Sequence, residues 1–255
     1  MVDAIDMTGR VVVVTGGGKG IGLQMATGLA ELGADLLLCA RKAERCEAAA
    51  EELSTAYDVR AIGMRCDVAS PDDVQAMVDR AQSELGRIDV LVNNAGTVWG
   101  GPAEDVPLEG WQKVVNVNLT GVFLCSQTAG RVMLEAGRGS IVNIASVAGL
   151  HGADPDYMNS VPYHATKGGV IALTQDLAWK WGRRGIRVNA IAPGWFPSDM
   201  SSYVLDAFGE TLTRRIPLDR FGGPDDLKGA VALLASDAGA FITGHTLVVD
   251  GGQSA

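Results

Sequence analysis

Val11-Val12-Val13-Val14-Thr15-Gly16-Gly17-Gly18-Lys19-Gly20-Ile21-Gly22 is the stretch that decides the fold. A run of β-branched residues predicts a buried strand. Glycines follow at once, and Ile21, Met25, Leu29 and Leu32 then recur at helical spacing. Gly33 is placed to stop that helix. The glycine pattern is T-G-x-x-x-G-x-G rather than G-x-G-x-x-G, and it leads from a strand straight into a helix. In that setting backbone N–H groups and the helix N-terminus approach a pyrophosphate. A P-loop is excluded, because Lys19 is followed by Gly20 and not by G-K-[ST]. Glycines alone mean only a tight turn. Strand before, helix after and strand again is what favours a dinucleotide.

Outward from this stretch the chain alternates. Leu36 to Ala40 reads as a second strand and Ala43 to Ala56 as a charged helix. Val59 to Cys66 reads as a third strand. Ser70-Pro71-Asp72-Asp73 opens a helix, with Ser as N-cap and acids near the positive end. Ile88 to Val92 is a fourth strand, followed by a helical stretch reaching about Ala136. Strands Ser140–Ala145, Arg187–Ala192 and Thr246–Val249 follow, with helices around Tyr163–Trp181 and Asp225–Ala235. Continuous apolar strands are expected where helices cover both faces of a parallel sheet. The expectation is an α/β, Rossmann-type fold: a single doubly wound parallel sheet of about seven strands, one domain over 1–255. Ligands in such sheets bind beyond the carboxyl ends of the strands.

Composition agrees. The chain has 255 residues, 33 of them Gly and only 9 Pro, with 47% apolar and 20% charged residues, which excludes collagen-like, disordered and disulfide-scaffold classes. The formal charge of −9 argues against a surface dedicated to nucleic acid. The one basic run, Lys180, Arg183, Arg184 and Arg187, suits a helix C-terminus. Cys39, Cys46, Cys66 and Cys125 show no C-x-x-C spacing and read as free, buried thiols in a reducing, cytoplasmic setting. His151, His164 and His245 form no metal-ligand pattern, so no metal is expected. No apolar run approaches a membrane span. Met1 to Arg10 carries acids and lacks a signal core, so Asn118-Leu119-Thr120 is read as an accidental glycosylation sequon.

The residues after each strand carry the chemistry. After the second strand an acid would bind ribose hydroxyls and favour NAD(H); Ala40-Arg41-Lys42 stands there instead, and Asp35 lies at the wrong end. Arg41 can pair with a 2′-phosphate, and Lys19 can be a second cation to it. NADP(H) is therefore favoured over NAD(H), although Arg41 and Lys42 also suit a solvated helix start. Asp67-Val68 borders an adenine or forms a turn. Asn93-Asn94-Ala95-Gly96 combines a tight turn with amides that line a cleft. After the fifth strand comes Ser146. Seventeen positions on, Tyr163-His164-Ala165-Thr166-Lys167 puts Tyr163 and Lys167 on one helical face at i and i+4. A phenol titrates near ~10, and an adjacent ammonium lowers that value. Ser146 can then bond a substrate oxygen while Tyr163 moves its proton. Tyr157 shows the contrast, since its i+4 residue is Val161. A surface pair of Tyr163 and Lys167 is the alternative if they stood alone.

With these pieces assembled, the chain resembles the short-chain dehydrogenase/reductase family over nearly its whole length. The matching motifs are TGGGKGIG at 15–22, NNAG at 93–96, NVNLTGVF at 116–123, Ser146, YHATK at 163–167, RVNAIAPG at 187–194 and Asp250-Gly251-Gly252. The resemblance implies that Asn118 helps hold a proton-relay water near Lys167 and that Ser146 orients the substrate oxygen. It implies Tyr163 as acid in reduction and base in oxidation, and Lys167 as the cation that tunes Tyr163 and binds the nicotinamide ribose. It places Gly16, Gly18, Lys19, Gly20, Ile21, Gly22, Arg41, Asp67, Val68, Asn94, Ala95 and Gly96 around the dinucleotide. Pro193 and Gly194 would shape the nicotinamide pocket, with Ser198 where a Thr usually contacts the carboxamide. A homotetramer, or a dimer, is implied through helices at about 107–136 and 161–184 and the final strand.

Two departures concern substrate shape. The Ser146–Tyr163 interval is about four residues longer than in many members, adding a polar stretch, Ala153 to Pro162. Trp195-Phe196-Pro197-Ser198 opens a substrate loop at about 195–222 with bulky residues. The PGWFPSDM stretch looks like ketoreductases acting on sugar acids, of the gluconate 5-dehydrogenase type, and on 3-oxoacyl thioesters. Arg214 and Arg215 either attract an acidic substrate or carrier or form a solvated helix face. A carbonyl reductase or secondary-alcohol dehydrogenase is thus the leading expectation, and a non-catalytic dinucleotide sensor or structural subunit the alternative.

Overall fold

In the computed structural model, which describes residues 2–255 with Met1 outside the described residues, β1 (Val11–Thr15) lies inside a sheet. It pairs in parallel with β2 (Asp35–Ala40) and β4 (Val90–Asn93). β3 (Ala61–Arg65), β5 (Gly139–Ile144), β6 (Ile186–Pro193) and β7 (Thr246–Val249) complete seven parallel strands in the order β3-β2-β1-β4-β5-β6-β7. The order reverses between β1 and β4, which opens a crevice over their carboxyl ends. Register sets Thr15 opposite Asn93 and Asn93 opposite Asn143. The loops that follow β1, β4 and β5 therefore start level with one another.

Alternation along the strands builds two cores. Val12 and Val14 of β1 face one layer, with α2 (Gly20–Ala30), α3 (Ala43–Tyr57) and α9 (Lys228–Ala235). Val11 and Val13 face the other, with α4 (Pro71–Arg80), α6 (Gly121–Ala136) and α7 (Val161–Trp181). A short α1 (Val2–Ile5) precedes the sheet. Gly33 ends the α2 region at φ +86°, and the Ser70 hydroxyl accepts from the Asp73 N–H at 3.2 Å, both as the sequence predicts. All four cysteines are buried and free. Among the described residues, no helix is long and apolar enough to cross a membrane.

Three elements differ from the sequence reading. The helical stretch before Ala136 is α5 (Leu108–Val115), one π turn over Asn116–Thr120, then α6. The stretch read as substrate loop contains a helix, α8 (Ser202–Thr213), of which only Leu212 is fully buried. Its apolar residues mostly lack the core that makes a helical stripe decisive. Arg187 does not join the α7 end: it donates to the carbonyls of Leu234 at 2.9 Å and Ser236 at 3.0 Å, at the end of α9, where a cation is favoured by the helix dipole.

Candidate active site

The glycine loop leaves β1 and enters α2 through Lys19, whose side chain forms no capping bond to the first helical N–H groups. Uncapped N–H groups at a helix start suit an anion. Gly20 has φ +54°, and a Cβ there would meet only Ser198, at 3.9 Å, so the loop is open on that side and faces the start of the substrate loop. Gly22 serves packing instead: a Cβ would lie 2.3 Å from Asn94 Nδ2 and 2.4 Å from the Gly16 carbonyl. Asn94 accordingly ties the crevice together, donating to the carbonyls of Thr15 at 2.9 Å and Gly16 at 3.1 Å. The Ala95 N–H donates to Thr15 Oγ1 at 3.0 Å. Gly18 faces α3, where a Cβ would lie 2.9 Å from the Cys46 sulfur; burial pushes that thiol up to about 11.

Arg41 follows β2 as an exposed side chain with no ion pair among the described residues. Asp35 sits at the other end of that strand and pairs with Arg60 at 2.5 Å. Lys19 is engaged: its Nζ lies 2.5 Å from Asp199, and Arg45 stands 3.8 Å from the same carboxylate oxygen. The Lys19 ammonium holds the Asp199 carboxyl below its usual range. Arg45 lies in the first turn of α3, four residues after Arg41; the Lys19–Asp199 contact spans 180 residues and was not legible in sequence.

Asp67 behaves as a turn residue, with its carboxylate accepting from the Ala69 N–H at 3.0 Å. Val68 is buried beneath the start of α6, against Gly121. Asn93 does not line the cleft. It is 2% exposed and bonds Ser126 Oγ and Asn143 Oδ1, each at 2.9 Å. Asn143 in turn donates to Thr174 Oγ1 at 2.9 Å. The strand alternation turns Asn93 into the sheet and Asn94 out of it.

Ser146, Tyr163, Lys167 and Asn118 come together beyond β5. Ser146 lies just past that strand and caps a short turn over Val147–Gly149, its hydroxyl accepting from the Ala148 N–H at 3.1 Å. Tyr163 and Lys167 share a face of α7, with the ammonium 5.5 Å from the Tyr163 ring centroid. Lys167 is 4% exposed and donates to the Ile144 carbonyl at 2.6 Å. Burial, with no carboxylate to offset it, pulls Lys167 down to about 8. Burial pushes the Tyr163 phenol above its ordinary value, opposed by a hydrogen bond with Ser146. The sequence reading expected lowering by Lys167; in the protein alone, desolvation wins.

Asn118 is fully buried in the π turn. Its amide donates to the Thr97 carbonyl at 2.9 Å and Thr166 Oγ1 at 3.3 Å, and accepts from the Thr97 N–H at 2.8 Å. Both amide hydrogens are used. The π turn replaces the usual i+4 bond by an i+5 bond from Gly121 N–H to the Asn116 carbonyl, a local rearrangement typical of functional sites.

Pro193 ends β6, and the Gly194 N–H bonds the Val249 carbonyl at 3.0 Å. A Cβ on Gly194 would strike Asp250 at 2.7 Å. Ser198 is fixed by Ser201, whose Oγ lies 3.1 Å from its own. The long segment before Tyr163 reaches this loop. Tyr157 packs edge-on against Phe208 of α8 at 5.4 Å. Arg215 lies over the Tyr157 ring at 4.8 Å and 3.9 Å from Asp154. Sequence reading flagged the segment but not these contacts.

A glycine loop open at an uncapped helix start, beside a Ser–Tyr–Lys group with its lysine buried on a doubly wound sheet, defines a dinucleotide-dependent oxidoreductase. A family model described as enoyl-(acyl carrier protein) reductase matches residues 15–254. The chain is 41% identical to D-threitol dehydrogenase of Mycolicibacterium smegmatis over 249 residues, covering 97% of this chain and 94% of that one. It is 38% identical to 5-keto-D-gluconate 5-reductase of Escherichia coli K12 over 255 residues, covering 99% and 98%. A crystal structure of a gluconate 5-dehydrogenase from Burkholderia cenocepacia J2315, in complex with NADP and tartrate, superposes with a TM-score of 0.94 at 38% identity, covering 99% and 98%. The chain belongs to the short-chain dehydrogenase/reductase family.

Proposed function

We propose that this enzyme interconverts a short polyhydroxylated carbonyl compound, a polyol ketone or keto sugar acid, with its secondary alcohol, using NADP(H) in preference to NAD(H). The observation that carries the catalytic part is the buried Lys167 sharing one face of α7 with the half-buried Tyr163, beside Ser146. The dinucleotide fits the residues present, and when bound it supplies or accepts the hydride. Gly20 and Ile21 form its cradle, with Gly16 and Gly22 holding the loop against Asn94 behind it, Arg41 and Lys19 its 2′-phosphate cations, and Pro193, Gly194 and Ser198 the wall at the nicotinamide end. Gly18, Asp67, Val68, Asn94, Ala95 and Gly96 shape that crevice from beneath and alongside.

In carbonyl reduction the Tyr163 hydroxyl gives its proton to the substrate oxygen, and in oxidation the phenolate takes it back. Ser146 bonds the same oxygen and fixes its position. Lys167 places a positive charge where the phenolate develops. With the Asn118 amide hydrogens used by Thr97 and Thr166, a water bridging Asn118 to Lys167 rests on backbone carbonyls at the π turn.

The substrate reading rests on the polar, acid-bearing 153–162 segment against α8 and on the names of the relatives described above. A 3-oxoacyl chain on a carrier protein fits less well. Arg215 is held by Asp154 and stacked on Tyr157, which leaves only Arg214, loosely paired with Glu210 at 3.7 Å, as a docking cation. A homotetramer, with a dimer as its half, is supported by exposed apolar residues on the expected elements: Trp111, Phe123, Trp179 and Val248. Four free thiols suit a reducing cytoplasm.

The test is a carbonyl panel of keto sugar acids, ketoses and 3-oxoacyl thioesters, assayed with NADPH and NADH in parallel. Turnover of polyhydroxylated ketones with NADPH is expected. Preference for 3-oxoacyl thioesters would overturn the substrate reading, and binding without turnover of any carbonyl would revive a sensor role.

A further inference from the structure

Asp199 is the second residue beyond Pro197 in the substrate loop, and it stands on the rim of the glycine loop. Its carboxylate is 2.5 Å from Lys19 Nζ and 3.8 Å from Arg45. Its neighbour Ser198 is the residue nearest the open side of Gly20. Lys19, a cation assigned above to the 2′-phosphate, is thus already bridged to the loop that covers the substrate. Arg41, the other such cation, has no ion-pair partner among the described residues. Lys19, Arg45 and Asp199 form one exposed cluster on an otherwise acidic chain.

We propose that Asp199 is an exchangeable counter-ion, which fastens the substrate loop to Lys19 and Arg45 until the 2′-phosphate of the dinucleotide takes those cations from it. A phosphate monoester carries about −1.5 to −2 charges near neutrality and three acceptor oxygens, against one charge on a carboxylate. An exposed carboxylate–ammonium pair is weak, so exchange is easy. The dianion also recruits Arg41. An unphosphorylated ribose offers no charge to compete, and leaves Asp199 on Lys19. Asp199 therefore sets both the discrimination between the two dinucleotides and the release of the loop. The proposal rests on the NADP(H) reading and adds to it a residue that acts against the phosphate.

The experiment measures Kd for NADPH, NADH, 2′,5′-ADP and 5′-ADP with the full-length wild type and Asp199→Asn, at two salt concentrations. The variant is expected to bind NADPH and 2′,5′-ADP about two- to fivefold more tightly, the range for an exposed pair, with NADH and 5′-ADP unchanged. The gain shrinks at high salt. Trypsin cleavage at Arg214 or Arg215 is expected to quicken when 2′,5′-ADP is added to wild type, and to be already fast in Asp199→Asn. Equal changes for both dinucleotides, or weaker NADPH binding in the variant, would overturn the Asp199 role while leaving NADP(H) preference intact. Wild type that binds NADH as well as NADPH would overturn both.

Discussion

The Lys167 ammonium donates to the Ile144 carbonyl at 2.6 Å, fastening the cation of α7 to the last residue of β5. Ser146 follows two residues later, so one bond sets the distance between the helix that carries Tyr163 and the turn that carries Ser146. Replacing Lys167 removes a charge and this fastening together.

The buried cation has a stability signature. Lys167 titrates at about 8 in the folded chain against 10.5 ordinarily. Below pH 8 both folded and unfolded chains hold the proton, and the burial cost is complete. Between pH 8 and 10.5 the unfolded chain holds more protons, so folding stability rises with pH, by a total of about 3 kcal/mol. Lys167→Met is expected to lack this rise. Denaturant titrations of both proteins at pH 7 and pH 10.5 give the difference; equal pH dependence would show that the ammonium is solvated.

Tyr163→Phe removes one oxygen from the site and leaves the α7 packing in place. Turnover is expected to fall by at least about 10²–10⁴-fold, with dinucleotide Kd nearly unchanged. Because burial holds the phenol above its ordinary value, the reduction rate should be flat through neutral pH, while alcohol oxidation should rise toward alkaline pH as the phenolate forms. Near-normal activity in the variant would remove Tyr163 from the chemistry.

Arg41→Ala tests cofactor choice at the end of β2. A charge-assisted phosphate contact contributes about 1.5–3 kcal/mol, so KM for NADPH is expected to rise about ten- to a hundredfold with little change for NADH. A parallel rise for both would assign Arg41 to general steering.

Tyr157→Ala removes the contact between the long 153–162 segment and α8. The edge-on pair and the Arg215 contact each contribute about 0.5–1.5 kcal/mol. The substrate KM should rise several-fold while the melting temperature falls by about 2–4 °C per kcal/mol lost, since both rings are only half-buried. A large loss of thermal stability instead would mark the segment as part of the core.

Gly22→Ala places a methyl where Asn94 and the Gly16 carbonyl already stand. Overpacking of this kind costs about 1–3 kcal/mol, or about 2–4 °C in Tm per kcal/mol. Dinucleotide binding should weaken as the crevice is pushed open. Unchanged Tm would mean that Asn94 swings away freely.

Much of this architecture is local, and the sequence exposes it. Val11–Val14 are buried whichever helix they meet, so their composition announces a strand. Tyr163 and Lys167 share a face because α7 is regular across them. The fate of Asn93 was not legible: two adjacent asparagines look alike until alternation turns Asn93 into the sheet toward Asn143 and leaves Asn94 at the crevice. The helix α8 was masked because Phe208 packs on Tyr157 rather than in a core.

The sequence by itself determined the doubly wound order of elements, the basic residue after β2 and the sharing of one α7 face by Tyr163 and Lys167, because each follows from short-range spacing and residue chemistry. Only the tertiary structure decided which charges meet. Lys19 and Asp199 are separated by 180 residues, as are Tyr157 and Phe208 by 51 in numbering, and Coulomb and packing forces act on distance in space, not along the chain.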